Sequence, residues 1–342
     1  MKKYLVYFCF ALLLSSLMLT AACGKTLTVK GILTETERIV LEGGGEFNRL
    51  FSRDNGFVGL NWSDASLCLF DKSGRLLDSY RKEGAGPGEY NKNSTVLLGI
   101  FEDLIFVGAM DRSAILVFET GDGTIRYKDE YPIDEGGLRG GAVDSKGNIW
   151  VALQGGAHEV AVLSPLGEIL QRYLPAEEKN REISPEKLIK SLKWLLVEGD
   201  TAIFISYMTY QVHIYKRSEK GLYLSAEAMP QPVFVENNYE IKTTGNSINL
   251  TGQPGVKGYA LVGDTLYMNL LTDDNNNAYE KSLVHAFSLD GKNKGLLECR
   301  FAQGETLGSL AGISDDGEIL AFPKEEEGTG ETVLCVLRPE FK

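Results

Sequence analysis

One pattern recurs along the chain and limits what it can become. Short apolar runs begin near Phe57, Leu104, Ile149, Ala202, Leu266 and Ile319, at intervals of 47, 45, 53, 64 and 53 residues. A second run follows each one: Ser66–Phe70, Ala114–Phe118, Glu159–Leu163, Gln211–Tyr215, Leu283–Phe287 and Val333–Leu337. Tight turns punctuate them, as in Asp71-Lys72-Ser73-Gly74, Asp144-Ser145-Lys146-Gly147 and Asp290-Gly291. Gly supplies the positive φ that such turns require, and Asp or Ser bonds its own backbone nearby. Runs such as Leu104–Val107 and Val333–Leu337 are continuously apolar, which suits sheets packed on both faces. A period of ~40–50 residues with four strands in each is the signature of a propeller blade. The expected fold is therefore all-β: a six-bladed β-propeller with four-stranded antiparallel blades. A β-sandwich followed by a second domain is the structural alternative.

Ring closure can be tested on the sequence. The sixth unit offers strands near Leu310–Ser314, Glu318–Ala321 and Val333–Leu337, and lacks a fourth. Glu37-Arg38-Ile39-Val40-Leu41-Glu42 precedes the first unit without a partner of its own. It is predicted to complete the last blade and so protect the final sheet edge. One helix is expected as an insertion near 184–196. Ser184-Pro185-Glu186 has the form of an N-cap, and Leu188, Ile189, Leu192, Leu195 and Leu196 repeat at helical spacing.

The amino terminus has a different composition. Lys2 and Lys3 precede an apolar run from Tyr4 to Leu19, followed by the small residues Thr20, Ala21 and Ala22. That is the three-part form of a secretory signal, with a retained membrane anchor as the alternative. The ending Leu19-Thr20-Ala21-Ala22-Cys23 resembles the lipobox of bacterial lipoproteins, with Leu one step earlier than usual. The resemblance implies that Cys23 is lipidated and becomes the new terminus. Gly24 follows where Asp would imply inner-membrane retention, so the outer membrane of the cell envelope is favoured. The expected division is 1–22 signal peptide, 23–34 lipidated linker and 35–342 propeller. The remaining cysteines, Cys68, Cys299 and Cys335, sit in apolar runs and are expected to be small buried hydrophobes.

The units also resemble NHL repeats, and the chain is similar to the bacterial six-bladed, TolB-like propeller proteins. The residues that carry this are Phe70-Asp71-Lys72-Ser73-Gly74-Arg75-Leu76, Glu83-Gly84-Ala85-Gly86-Pro87-Gly88-Glu89-Tyr90 and Asp144-Ser145-Lys146-Gly147-Asn148-Ile149-Trp150-Val151.

In such an architecture the long connections gather on one face. Here they include Gly84–Asn93, Leu174–Lys190, Pro230–Lys257, Thr272–Lys281 and Phe322–Thr332. Function concentrates in long loops on a rigid scaffold. The candidate binding residues on that rim are Trp62, Asp64, Asp111, Arg112, Arg139, His158, Tyr207 and Tyr210. Aromatics with Arg suit a protein, peptide or glycan site. Asp273 and Asp274, in an Asn-rich loop, are the candidate metal ligands, for Ca²⁺, although the loop departs from the EF-hand pattern. No organic cofactor is expected.

Catalytic motifs are incomplete along the chain. Gly84, Gly86 and Gly88 mimic a phosphate loop, but no Lys-Ser/Thr follows. His158-Glu159 lacks the second His of a zinc-protease helix. His213 and His285 occupy equivalent third-strand positions and are expected to be packing residues. A net charge of −12 makes the chain a poor nucleic-acid binder. The expectation is a lipid-anchored binding or scaffold module without catalytic residues. The alternative is a metal-dependent lactonase- or lyase-type propeller with a divalent ion in its channel.

Overall fold

A computed structural model describes residues 29–53, 56–175, 193–206, 211–228, 239–244, 247–252, 256–270, 282–324 and 331–341. A long strand, β1 (Val29–Leu41), precedes the repeating sets. β2 (Phe47–Arg53), β3 (Gly56–Asn61), β4 (Leu67–Asp71) and β5 (Leu76–Tyr80) form an antiparallel sheet in sequence order. The same order recurs in β6 (Thr95–Phe101), β7 (Leu104–Ala109), β8 (Ala114–Gly121) and β9 (Thr124–Pro132). It recurs again in β10 (Gly137–Val143), β11 (Ile149–Gln154), β12 (His158–Leu163) and β13 (Ile169–Pro175). The next sheet holds β14 (Lys193–Glu198), β15 (Thr201–Ser206), β16 (Val212–Ser218) and β17 (Gly221–Ala228). A separate hairpin, β18 (Tyr239–Thr244) and β19 (Ser247–Gly252), follows. β20 (Val256–Val262), β21 (Thr265–Leu270), β22 (Leu283–Ser288) and β23 (Asn293–Arg300) then repeat the pattern. The last set is β24 (Leu307–Ile313), β25 (Ile319–Pro323) and β26 (Thr332–Phe341), with β1 as its fourth strand. These antiparallel sheets are arranged as a propeller.

The first strand closes the chain as its unpartnered apolar pattern predicted. β1 runs antiparallel to β26 from Gly31↔Phe341 to Leu41↔Thr332. Its first half does more than the sequence indicated. Val29–Thr34, expected in the linker, belong to the strand and also pair in parallel with β23, from Val29↔Leu296 to Thr34↔Arg300. The last two sets are thereby joined into one eight-stranded sheet.

The tight turns share one chemistry. In Asp71–Gly74, Asp144–Gly147, Ser164–Gly167, Ser288–Gly291 and Ser314–Gly317, the Gly N–H donates to the carbonyl three residues back. The leading Asp or Ser then donates its own N–H to the carbonyl four residues on. At Asp144 the side chain completes the turn: Oδ1 accepts from the Lys146 and Asn148 N–H groups at 2.9 Å each. Gly147 has φ +80°, and an added Cβ there would lie 2.4 Å from the Phe101 ring. The turn thus locks a hairpin and also meets the neighbouring sheet.

Two-sided burial explains the continuous apolar runs. Ile149, Val151 and Leu153 of β11 pack toward β6–β8, whereas Trp150 and Ala152 pack toward β14 and β15. Equivalent apolar clusters lie between every consecutive pair of four-strand sets, the last of them between β1, β25 and β26 and β2–β4. A fully buried large apolar side chain contributes roughly 1.5–3 kcal/mol, so these interfaces supply the main cohesion of the ring.

The same geometry corrects the helix expected over 184–196. Lys193–Glu198 is strand β14. Leu195 packs on Trp150 and its neighbours, and Leu196 packs in the opposite cluster with Ile203 and Val256. Two adjacent leucines buried on opposite faces need a period of two, and tertiary burial overrides the local helical spacing. Residues 184–192 lie outside the described residues. Among the described residues, no helix is long and apolar enough to cross a membrane.

Candidate functional site

The inner strands surround a cavity of about 350 Å³. β2, β6, β10, β14, β20 and β24, each the first strand of its set, all contribute to its wall. Strand sides face it where the backbones crowd together. Gly258 is one such point, because a Cβ there would lie 2.1 Å from the Leu310 carbonyl oxygen. The apolar part of the wall includes Leu60, Trp62, Met110, Trp194 and Tyr259. Trp62 and Met110 follow the second strands β3 and β7, so this end opens toward the long connections. Trp62 is 48% exposed, a large apolar surface left at the mouth. A second cavity of about 290 Å³ lies toward the tight-turn side and shares Arg49 and Tyr259 with the first.

Charge distinguishes the larger cavity. Arg49, Arg139, Lys193 and Lys257 line it, and no Asp or Glu does among the described residues. The Arg49 guanidinium carbon sits 4.4 Å from the Phe51 ring centroid and 5.0 Å from that of Tyr259. Such cation–π contacts help hold the cation in place. Tyr259 is buried, which pushes its hydroxyl pKa up, while Arg49 pulls it down. The Trp194 and Tyr259 rings approach at 5.0 Å. Arg139 Nε donates to Gln154 Oε1 at 2.5 Å. Burial, with Lys324 nearby, pushes the Lys257 ammonium pKa down.

The sequence-nominated residues divide. Trp62 and Arg139 line the cavity. Asp64 instead builds its own turn, accepting from the Ser66 N–H at 3.0 Å and its hydroxyl at 2.7 Å. Arg112 is a clasp. It donates to the carbonyls of Ala85 and Glu89 at 2.8 Å each and to Glu130 Oε2 at 3.1 Å. These bonds hold the Gly84–Tyr90 connection between β5 and β6. Asp111 is exposed beside it. His158 opens β12, paired with Pro175, and its buried Nδ1 has no hydrogen-bond partner among the described residues. Tyr207, Tyr210, Asp273 and Asp274 lie outside the described residues, as does Cys23.

Sequence reasoning missed Arg49, Lys193, Trp194, Lys257 and Tyr259. Long loops stand out in a sequence as gaps in the pattern, whereas these residues stand on first strands. A usable signal was present: Arg139-Gly140-Gly141 and Lys257-Gly258-Tyr259 each place a cation before Gly on an inner strand. His213 and His285 stand opposite the fourth residue of their second strands, Phe204 and Met268; His285 is buried, and His213 Nε2 lies 3.5 Å from Glu227 Oε1. Cys68, Cys299 and Cys335 are free and buried.

No family model and no curated protein sequence matches the chain. Solved structures do. A Bacteroides fragilis protein inferred to be exported superimposes with a TM-score of 0.51 at 11% identity, covering 93% of this chain and 96% of that one. The WD40 repeats of RRP9 superimpose with a TM-score of 0.53 at 12% identity, covering 90% of this chain and 99% of that one. At these identities the likeness establishes the fold, a β-propeller, and leaves the site to be read from its own residues.

Proposed function

We propose that the chain is a lipid-anchored propeller of the cell envelope that recognises a ligand at the mouth of its central cavity. The observation that carries this is the exposed Trp62 beside a 350 Å³ cavity walled by inner strands. A rigid ring of strands with an aromatic at its opening suits recognition, because little conformational entropy is lost on binding. Six blades follow if the eight-stranded sheet is divided where β1 meets β23 in parallel, because each half is then a four-stranded antiparallel set. The NHL and TolB-like resemblance agrees with that count. The signal-like run from Lys2 to Ala22 and the lipobox-like Leu19–Cys23 support anchoring through Cys23, in the outer membrane. Two or more acyl chains at ~0.8 kcal/mol per methylene would hold it there. A protein or peptide partner fits the aromatic rim best, and a glycan also fits. The lactonase- or lyase-type alternative needs oxygen ligands converging on a divalent ion. The described wall of the larger cavity presents four cations instead.

The test is capture from envelope membranes with the intact lipoprotein as bait. Trp62→Ala is expected to lose the partner, and Lys146→Glu on the tight-turn side to keep it. Retention by the first and loss by the second would overturn the reading. Cys23→Ser is expected to release the protein from the membrane fraction.

A further inference from the structure

The larger cavity reverses the charge balance of its own molecule. Asp and Glu outnumber Lys and Arg by 47 to 35 over the whole chain. The described wall of the cavity nevertheless carries Arg49, Arg139, Lys193 and Lys257 and no carboxylate. Basic side chains in a recess with low-dielectric walls favour an anion. Arg49 is the most telling member. Its guanidinium packs between Phe51 and Tyr259, and its N–H donors meet no acceptor among the described residues. A guanidinium held against two rings, with its N–H donors unused among the described residues, suits a carboxylate or phosphate. The remaining wall is apolar and aromatic: Leu60, Trp62, Met110, Trp194 and Tyr259.

We infer that this cavity binds a small molecule, or the end of a larger one, in which a carboxylate or phosphate is attached to an aromatic or apolar body. The anion lies against the Arg49 edge, with Arg139, Lys193 and Lys257 adding attraction. The body lies against Trp194, Tyr259 and Trp62. A volume of about 350 Å³ is at the small end of ordinary ligand sites, so a one- or two-ring body fits. The inference deepens the proposed recognition at the mouth and rests on that reading.

Three matched probes test it: 2-naphthoate, 2-naphthyl phosphate and the neutral 2-naphthamide. Each is titrated calorimetrically into the full-length protein in nanodiscs, with empty nanodiscs as the blank. At least one anion is expected to bind saturably, at least about tenfold more tightly than the amide, the difference expected of a charge-assisted contact. The anion that binds better identifies the source chemistry. Added salt should weaken the anion more than the amide. Arg49→Met should weaken the anion about tenfold or more and leave the amide unchanged, with Arg49→Lys intermediate. Amide binding equal to the anions, no binding of either anion, or anion binding indifferent to Arg49→Met overturns the inference. The comparison of anion with amide needs no variant, so it stands even if a substitution unfolds the chain. Partner capture that depends on Trp62 but coexists with no anion binding would sink this inference and leave the proposed function standing.

Discussion

Asp144 shows how much structure one side chain can carry. Its Oδ1 closes a tight turn, and its Oδ2 accepts from Asn148 Nδ2 at 2.9 Å and Trp150 Nε1 at 3.1 Å. Burial pushes its pKa up, but the bonds from Asn148 and Trp150 outweigh that and hold the carboxyl below its usual range. Asp144→Ala leaves a buried indole N–H without a partner. It should cost about 2–3 kcal/mol, measured as a shift in the urea midpoint. His285 gives a pH prediction. It is buried, with Nε2 3.0 Å from Asn293 Oδ1, and burial pushes its pKa below the ordinary 6.5. The unfolded chain therefore takes the proton first as pH falls. Stability from this group is intact above about 6.5 and declines below it. His285→Gln should flatten that decline in thermal melts between pH 7 and 5. Asp144 and Gly147 were legible in the sequence because turn chemistry is local. Arg112 was not. Its nomination as a rim residue rested on position, whereas its clasp on Ala85 and Glu89 depends on a connection folding back across more than twenty residues.

At the scale of elements, β1 is the strand that joins the ends of the chain. Beyond its ladder, it is pinned by Arg38. Arg38 Nε and Nη2 bond Glu35 at 2.8 and 3.0 Å, and Nη1 and Nη2 bond Glu305 at 2.7 and 3.1 Å. Glu35 also accepts from the Ala302 N–H at 2.7 Å. Arg38→Met should cost about 2–3 kcal/mol, since it leaves two partly buried carboxylates facing each other. Burial raises the Glu35 pKa, but its bonds to Arg38 and Ala302 bring it below the ordinary 4.5, and the bond to Arg38 lowers that of Glu305. Their contribution is therefore complete above about 4.5 and lost as pH falls through the lowered values. The difference between wild type and Arg38→Met should shrink in denaturation curves taken near pH 3. The pairing of β1 with β26 was legible over Glu37–Leu41, because the last set lacked a strand and that segment lacked a partner. The added parallel pairing of Val29–Thr34 with β23 was not, since it depends on which sheet stands beside the last one. The strand at Lys193–Glu198 was hidden for a related reason. Leu188, Ile189, Leu192, Leu195 and Leu196 fit a helical stripe, and only the facing sheets show that Leu195 and Leu196 are buried on opposite sides.

For the whole molecule, the ring turns a repeat into a site. No single set of strands could make the cavity, because its wall takes residues from six first strands. That is also why the sequence pointed to the end where this cavity opens but missed most of the wall. Long connections can be seen as gaps in a pattern, whereas Arg49 and Lys257 lie 208 positions apart and meet only when the ring closes. Both the cavity and the division of faces therefore depend on β1 lying along β26. The most direct test is a crosslink across that ladder. Val40 and Val333 are register partners, and Val40 is 47% exposed. The native thiols Cys68, Cys299 and Cys335 are buried, and burial pushes the Cys335 thiol up to about 12, so they compete poorly as thiolates. In the double variant Val40→Cys with Val333→Cys, mild oxidation should join peptides from the two ends of the folded chain within one monomer, and unfolding beforehand should abolish the preference. Oxidised folded protein in which positions 40 and 333 stay unlinked, or pair instead with Cys68, Cys299 or another molecule, would contradict the closed ring.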